Sequence, residues 1–135
     1  MKKRILIILF SFMFSQDTLY FVYNAKGDVF SVVGDFFHKS LSPKTYPCRL
    51  CDLSYGAFAK KKIWKDFLDS LDIRYEFVYK NEIDRFKQEI KSFPVILIGR
   101  KNNVVVFLSK EEINNTKDIQ ALIDKINLKL ESGED

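Results

Sequence analysis

Two apolar runs, FPVILIG from Phe93 and NVVVFLS from Asn103, are joined through RKNN at 100–103. Parallel strands need a crossover of a dozen or more residues, so two strands this close in the chain pair antiparallel, as a hairpin. Asn102 and Asn103 tolerate positive φ and are expected to make the turn. The C-terminal part of any sheet in this chain is thereby antiparallel, and the other elements are placed around it.

Upstream, TLYFVYNA at 18–25 reads as a strand rich in aromatics and valine. Asp28 is placed to cap the helix DVFSVVGDFFHKSL, with Val29, Phe30, Val33, Phe36, Phe37 and Leu41 on one face and Ser31, Gly34 and His38 opposite. Ser42-Pro43 stops it. KKKIWKDFLDSL at 60–71 is a second amphipathic helix, with Ile63, Trp64, Phe67, Leu68 and Leu71 on one side. DIRYEFVYK at 72–80 alternates Ile73, Tyr75, Phe77 and Tyr79 with Arg74 and Glu76, the period of a strand. Asn81 is expected to cap a short helix carrying Ile83, Phe86 and Ile90, and TKDIQALIDKINLKL at 116–130 makes the last helix. The predicted order is β-α-loop-α-β-α-β-β-α, with parallel crossovers first. At 135 residues and 47% hydrophobic composition, the chain suits a single core, in one domain at 17–130 with a frayed tail at 131–135. Phe21, Val33, Phe37, Trp64, Phe67, Phe77, Ile96, Leu97, Val105, Leu122 and Ile126 are the expected core.

This order, with Pro94 directly ahead of the first hairpin strand, resembles the thioredoxin-like fold. The resemblance implies an α/β three-layer sandwich, a mixed central sheet of about four strands with flanking helices. It also implies a cis Phe93-Pro94 bond facing the active-site pole; a trans proline opening the strand is the ordinary alternative. The long cysteine-containing loop at 42–59 is read from the sequence, and there the chain departs from the family. Thioredoxins carry Cys-x-x-Cys immediately after the first core strand, where this sequence reads NAKGD. Its only two cysteines, Cys48 and Cys51, come one helix later, in TYPCRLCDLSYG. A second similarity covers most of the chain: VYNAKGD, HKSLSPKTYPCRLCDLSYGAF and WKDFL resemble a group of small bacterial proteins sharing a YNA...HK..SPxxYxCxLC pattern. Members are sometimes labelled GTPases, yet no G-x-x-x-x-G-K-[ST] loop is present and the five glycines are scattered. This similarity implies a shared fold and a shared His-Cys-Cys set, and it brings no reaction with it.

Three chemistries fit CRLC. In thiol–disulfide exchange, Cys48 attacks, Cys51 resolves, and the positive charge of Arg49, with any helix start at Leu50 to Asp52, favours the thiolate; the loop is long enough to reach either end of the sheet, the Pro94 pole included. In a metal site, zinc or copper takes Cys48, Cys51 and His38, with water or Asp52 in a fourth position; otherwise His38 is an exposed histidine near a helix C-terminus. In the third, the pair is structural and only orders its loop, in a non-catalytic binding module. Under any of the three, Tyr46, Asp52 and Tyr55 shape the same pocket or simply pack. Exchange is placed first because the fold resemblance and an exported location agree with it. It needs no resident cofactor, and its partners are protein or small thiols and disulfides.

Export is read from MKKRILIILFSFMFSQ, a basic start and a ten-residue largely apolar run from Ile5 to Phe14, followed by polar residues. This predicts a signal peptide at 1–16, a mature chain beginning near Gln16 or Asp17, and a periplasmic or cell-envelope location. A cytoplasmic chain with an extra N-terminal strand is the alternative, since no small-x-small triplet marks a cleavage site. The run is shorter than the ~20 residues of a membrane span. Formal charge is +4, but Lys2, Lys3 and Arg4 lie in this segment, and the rest carries 19 basic against 18 acidic residues. That balance excludes a nucleic-acid footprint. A c-type haem would need histidine where Asp52 stands, an iron–sulfur cluster four cysteines, and a Ser-His-Asp hydrolase a nucleophile motif; none is present. Asp28 and Asp35, seven residues apart, are expected to face solvent.

Overall fold

The computed structural model describes residues 17–25, 48–56 and 60–133. The expected signal peptide at 1–16 and the helix at 28–41, with Val33, Phe37, His38, Asp28 and Asp35, lie outside the described residues, as does Tyr46.

The elements in chain order are β1 (Thr18–Val22), α1 (Arg49–Ser54), α2 (Lys62–Ser70), β2 (Arg74–Val78), a 3₁₀ helix (Lys80–Phe86), β3 (Val95–Arg100), β4 (Asn103–Leu108), α3 (Lys110–Asn114) and α4 (Ile119–Ser132). The four strands form one mixed sheet in the order β2-β1-β3-β4. β1 and β2 are parallel, Val22 standing against Val78, while β1 and β3 are antiparallel, Val22 standing against Val95. β3 and β4 form the expected hairpin, with a register irregularity at Ile96/Leu97. The turn differs from expectation: Lys101, not an asparagine, takes positive φ, at 54°.

Because successive strand residues point to opposite faces, the inner strands bury both. Leu19, Phe21, Tyr23, Ile96 and Ile98 meet Leu50, Leu53, Trp64, Phe67, Ile113, Leu122 and Ile126 in the larger cluster. Val22, Val78, Val95 and Leu97 meet Phe86 and Ile90 in the smaller one. The four α-helices among the described residues thus contribute to one face, and the 3₁₀ helix covers the other. This is a mixed α/β domain with flanking helices.

The expected core holds for Phe21, Trp64, Phe67, Ile96, Leu97, Leu122 and Ile126. Val105 is corrected: it is 43% exposed, although its partner Ile98 is buried, because β4 is an edge strand. Phe77, on the other edge, is half-buried against the larger cluster. Asn81 is not a cap; it lies inside the 3₁₀ helix, whose start has the Glu82 carboxylate accepting from Tyr79 N–H at 3.4 Å. Three residues per turn place Ile83 and Phe86 on one side of that helix. The last helix is capped by Asp118, whose side chain accepts from Ala121 N–H, and runs two residues into the expected frayed tail before Gly133 ends it at φ 64°.

Candidate functional site

Cys48 and Cys51 are joined by a disulfide, S–S 2.06 Å. They stand at the head of α1, so part of the segment expected to be loop is helix. Cys48 is the N-cap of α1, and its Sγ accepts from Cys51 N–H at 3.2 Å. Side-chain acceptors at this position satisfy a backbone donor that a helix start leaves free. Spacing and local backbone therefore agree: one helical turn brings residues 48 and 51 to Cα–Cα 5.2 Å, within bonding reach.

Both ends of this short helix are anchored, one beside the end of β1 and the other on the α3–α4 junction. At its C-terminal end, Ser54 is fully buried and its Oγ donates to Leu50 O at 2.6 Å. That spends the single hydroxyl hydrogen, so the Tyr23 hydroxyl, 3.2 Å away, donates to Ser54 Oγ. Burial pushes the Tyr23 phenol far above its ordinary range, so it stays a donor. Tyr23 directly follows β1, and its N–H donates to Val78 O at 2.9 Å. At the N-terminal end, Arg49 Nη2 donates to both Thr116 O and Lys117 O, each at 2.9 Å.

The structure brings Cys48, Arg49 and Cys51 together on α1, with Arg49 turned onto the α3–α4 junction. Pro94 follows a cis bond and is buried at the head of β3. Val95 beside it pairs with Val22, so Pro94 lies at the end of the sheet from which β1 and β2 exit, the end that Tyr23 links to α1. Its neighbours Phe93 and Val95 belong to the smaller cluster, whereas both cysteines belong to the larger one. Cys48 is 4% and Cys51 1% exposed. Asp52 is exposed, and Tyr55 is half-buried, its ring centroid 6.2 Å from that of Tyr23.

For the metal alternative, His38 lies outside the described residues, and among the described residues no three His, Cys, Asp or Glu side chains cluster as a metal site needs. No helix among the described residues is long and apolar enough to cross a membrane. The anchors Tyr23, Ser54, Thr116 and Lys117 had escaped sequence reasoning; two of them act through carbonyls, which any residue type supplies.

No family model, curated protein or solved structure matches the chain. What the geometry defines is a mixed α/β domain with a Cys-x-x-Cys disulfide at the start of a short helix, held over one face of its sheet.

Proposed function

We propose that this is an exported thiol–disulfide exchange protein of thioredoxin-like fold, in which Cys48 attacks and Cys51 resolves. The observation that carries the reading is the bonded Cys48–Cys51 pair with Cys48 as helix N-cap. When the pair is reduced, the Cys51 N–H aimed at Cys48 Sγ favours a thiolate on Cys48 over one on Cys51, and the adjacent Arg49 charge acts in the same direction. The strand order, the cis Pro94 at the head of β3 and the C-terminal helix support the fold assignment.

In each cycle the Cys48 thiolate attacks a partner disulfide, forms a mixed disulfide and releases one partner thiolate. The Cys51 thiol loses its proton and attacks Cys48 Sγ, releasing the second partner thiolate and closing the Cys48–Cys51 bond. Two electrons pass to the partner. The reverse sequence oxidises two partner thiols.

The burial of both sulfurs favours a second reading, in which the bond is a fixed clip that orders α1. The two are separated by the rate at which dithiothreitol reduces the folded chain. An exchange protein is reduced in proportion to dithiothreitol concentration and faster than it unfolds. A clip is reduced at a rate that saturates at the global unfolding rate, and saturation would overturn the exchange reading.

A further inference from the structure

We propose that Arg49 is a positioning residue that sets the redox poise of the Cys48–Cys51 pair by stapling the first turn of α1 to the α3–α4 junction. The inference rests on the exchange reading above. Arg49 lies between the two cysteines, and its guanidinium bridges to two carbonyls 67 and 68 residues away in sequence. Those carbonyls belong to a fixed platform. Thr116 is 3% exposed, its N–H donates to Ile113 O at 3.1 Å, and its hydroxyl donates to Glu112 O at 2.8 Å. One residue beyond Lys117, Asp118 caps α4.

α1 has six residues, too few to hold itself helical in water. In the oxidised chain the covalent ring fixes its first turn. In the reduced chain the ring is open, and the turn depends on Arg49 and on the burial of Leu50 and Leu53. Staple and disulfide favour the same backbone arrangement, so each strengthens the other, and the coupling is reciprocal. With the staple in place the two thiols stay near bonding geometry and the disulfide re-forms readily. Without it the reduced turn loosens and the disulfide becomes easier to reduce.

The charge of Arg49 offers a competing role, since a cation stabilises a neighbouring thiolate. Acid separates the two: where both thiols are protonated, an effect on thiolates vanishes and an effect on geometry persists.

The full chain, Arg49→Met and Arg49→Lys are equilibrated in glutathione buffers at pH 7 and pH 5.5, then acid-quenched, alkylated and weighed intact. Two glutathione thiols reduce the pair and leave as one glutathione disulfide, so the equilibrium reports a two-electron couple. Arg49→Met is expected to lower the constant for disulfide formation about tenfold, the scale of one charge-assisted hydrogen bond, or about 30 mV towards easier reduction, at both pH values. Arg49→Lys, which keeps the charge on a shorter stem, is expected to show most of the same shift; it carries the test if Arg49→Met does not fold. An unchanged constant in the variants overturns the staple while leaving exchange intact. Because a cation that stabilises the thiolate favours the reduced pair, a constant that rises in Arg49→Met at pH 7 only, or a shift fully rescued by lysine, assigns the effect to charge and also overturns the staple. A wild-type pair that never re-forms in these buffers removes the exchange reading and this inference with it.

Discussion

Reducing the Cys48–Cys51 bond in the folded chain is expected to cost about 2 kcal/mol of stability. The cysteines are three apart in sequence, so the bond closes a ring spanning four residues. For a ring that size, loop-closure entropy removed from the unfolded chain is about 6 cal/mol/K, or about 2 kcal/mol at 25 °C. A domain of this size loses roughly 3–5 °C of Tm per kcal/mol, so its Tm should fall by about 6–10 °C. The same free energy appears in the redox couple, because whatever the bond adds to folding, folding adds to the bond. The pair should therefore be about 40 mV harder to reduce in the folded chain than in urea. The assay is urea unfolding at fixed pH, with and without reductant, with an unchanged m value showing that the native state keeps its compactness. Cys48→Ala/Cys51→Ala supplies a reductant-free check. A loss below about 0.5 kcal/mol, or a folded-minus-unfolded potential that fails to match the measured loss, would refute the reasoning.

Trp64 is fully buried, its ring 5.2 Å from Phe21 and 5.3 Å from Phe67, and among the described residues its Nε1 has no hydrogen-bond partner within bonding geometry. Trp64→Ala should cost about 3–5 kcal/mol in chemical denaturation, while Trp64→Phe, which keeps most of the buried ring, should stay within about 1–2 kcal/mol of wild type; equal losses would contradict this. Glu112 is pushed up by partial burial but pulled down further by Ser109 N–H and the Lys129 ammonium, so its carboxyl ends below its ordinary value. A lowered carboxylate contributes stability above its unfolded pKa and loses it as pH falls through the folded one. The stability gap between wild type and Glu112→Gln should therefore shrink on acidification, and a gap constant from pH 7 to pH 3 would count against the ion pair. Lys101 has positive φ in the hairpin turn, so Lys101→Gly should be neutral to about 1 kcal/mol stabilising in the same unfolding assay, and a clear loss would mean its side chain supports the turn.

The hairpin and the alternation of elements were legible because apolar periodicity reports directly on buried faces. Edge burial was not: Val105 and Ile98 are equally apolar in sequence, and only the strand order leaves Val105 exposed. α3 was missed, although Ser109 and Glu112 form a capping box, a sequence signal four residues wide. α1 was hidden by its length and by a cysteine in the capping position, which propensities do not favour. The cysteine pair was found from spacing alone. What spacing could not supply was depth: both sulfurs sit inside the core, and their anchors are a tyrosine, a serine and two carbonyls distant in the chain.

The central claim is that Cys48 is the attacking thiol, and single-cysteine trapping tests it most directly. Cys51→Ser keeps the backbone N–H whose hydrogen bond Cys48 Sγ accepts, removes the resolving thiol, and leaves the more exposed of the two cysteines in place. Incubated with oxidised glutathione and weighed intact, Cys51→Ser should take up one glutathione through Cys48, with a rate rising with pH around a thiol pKa below the ordinary value of about 8.5. Cys48→Ser should take up none on the same timescale. Equal labelling of the two variants, or labelling of neither until the chain unfolds, would contradict the exchange reading and leave the disulfide as a clip on α1.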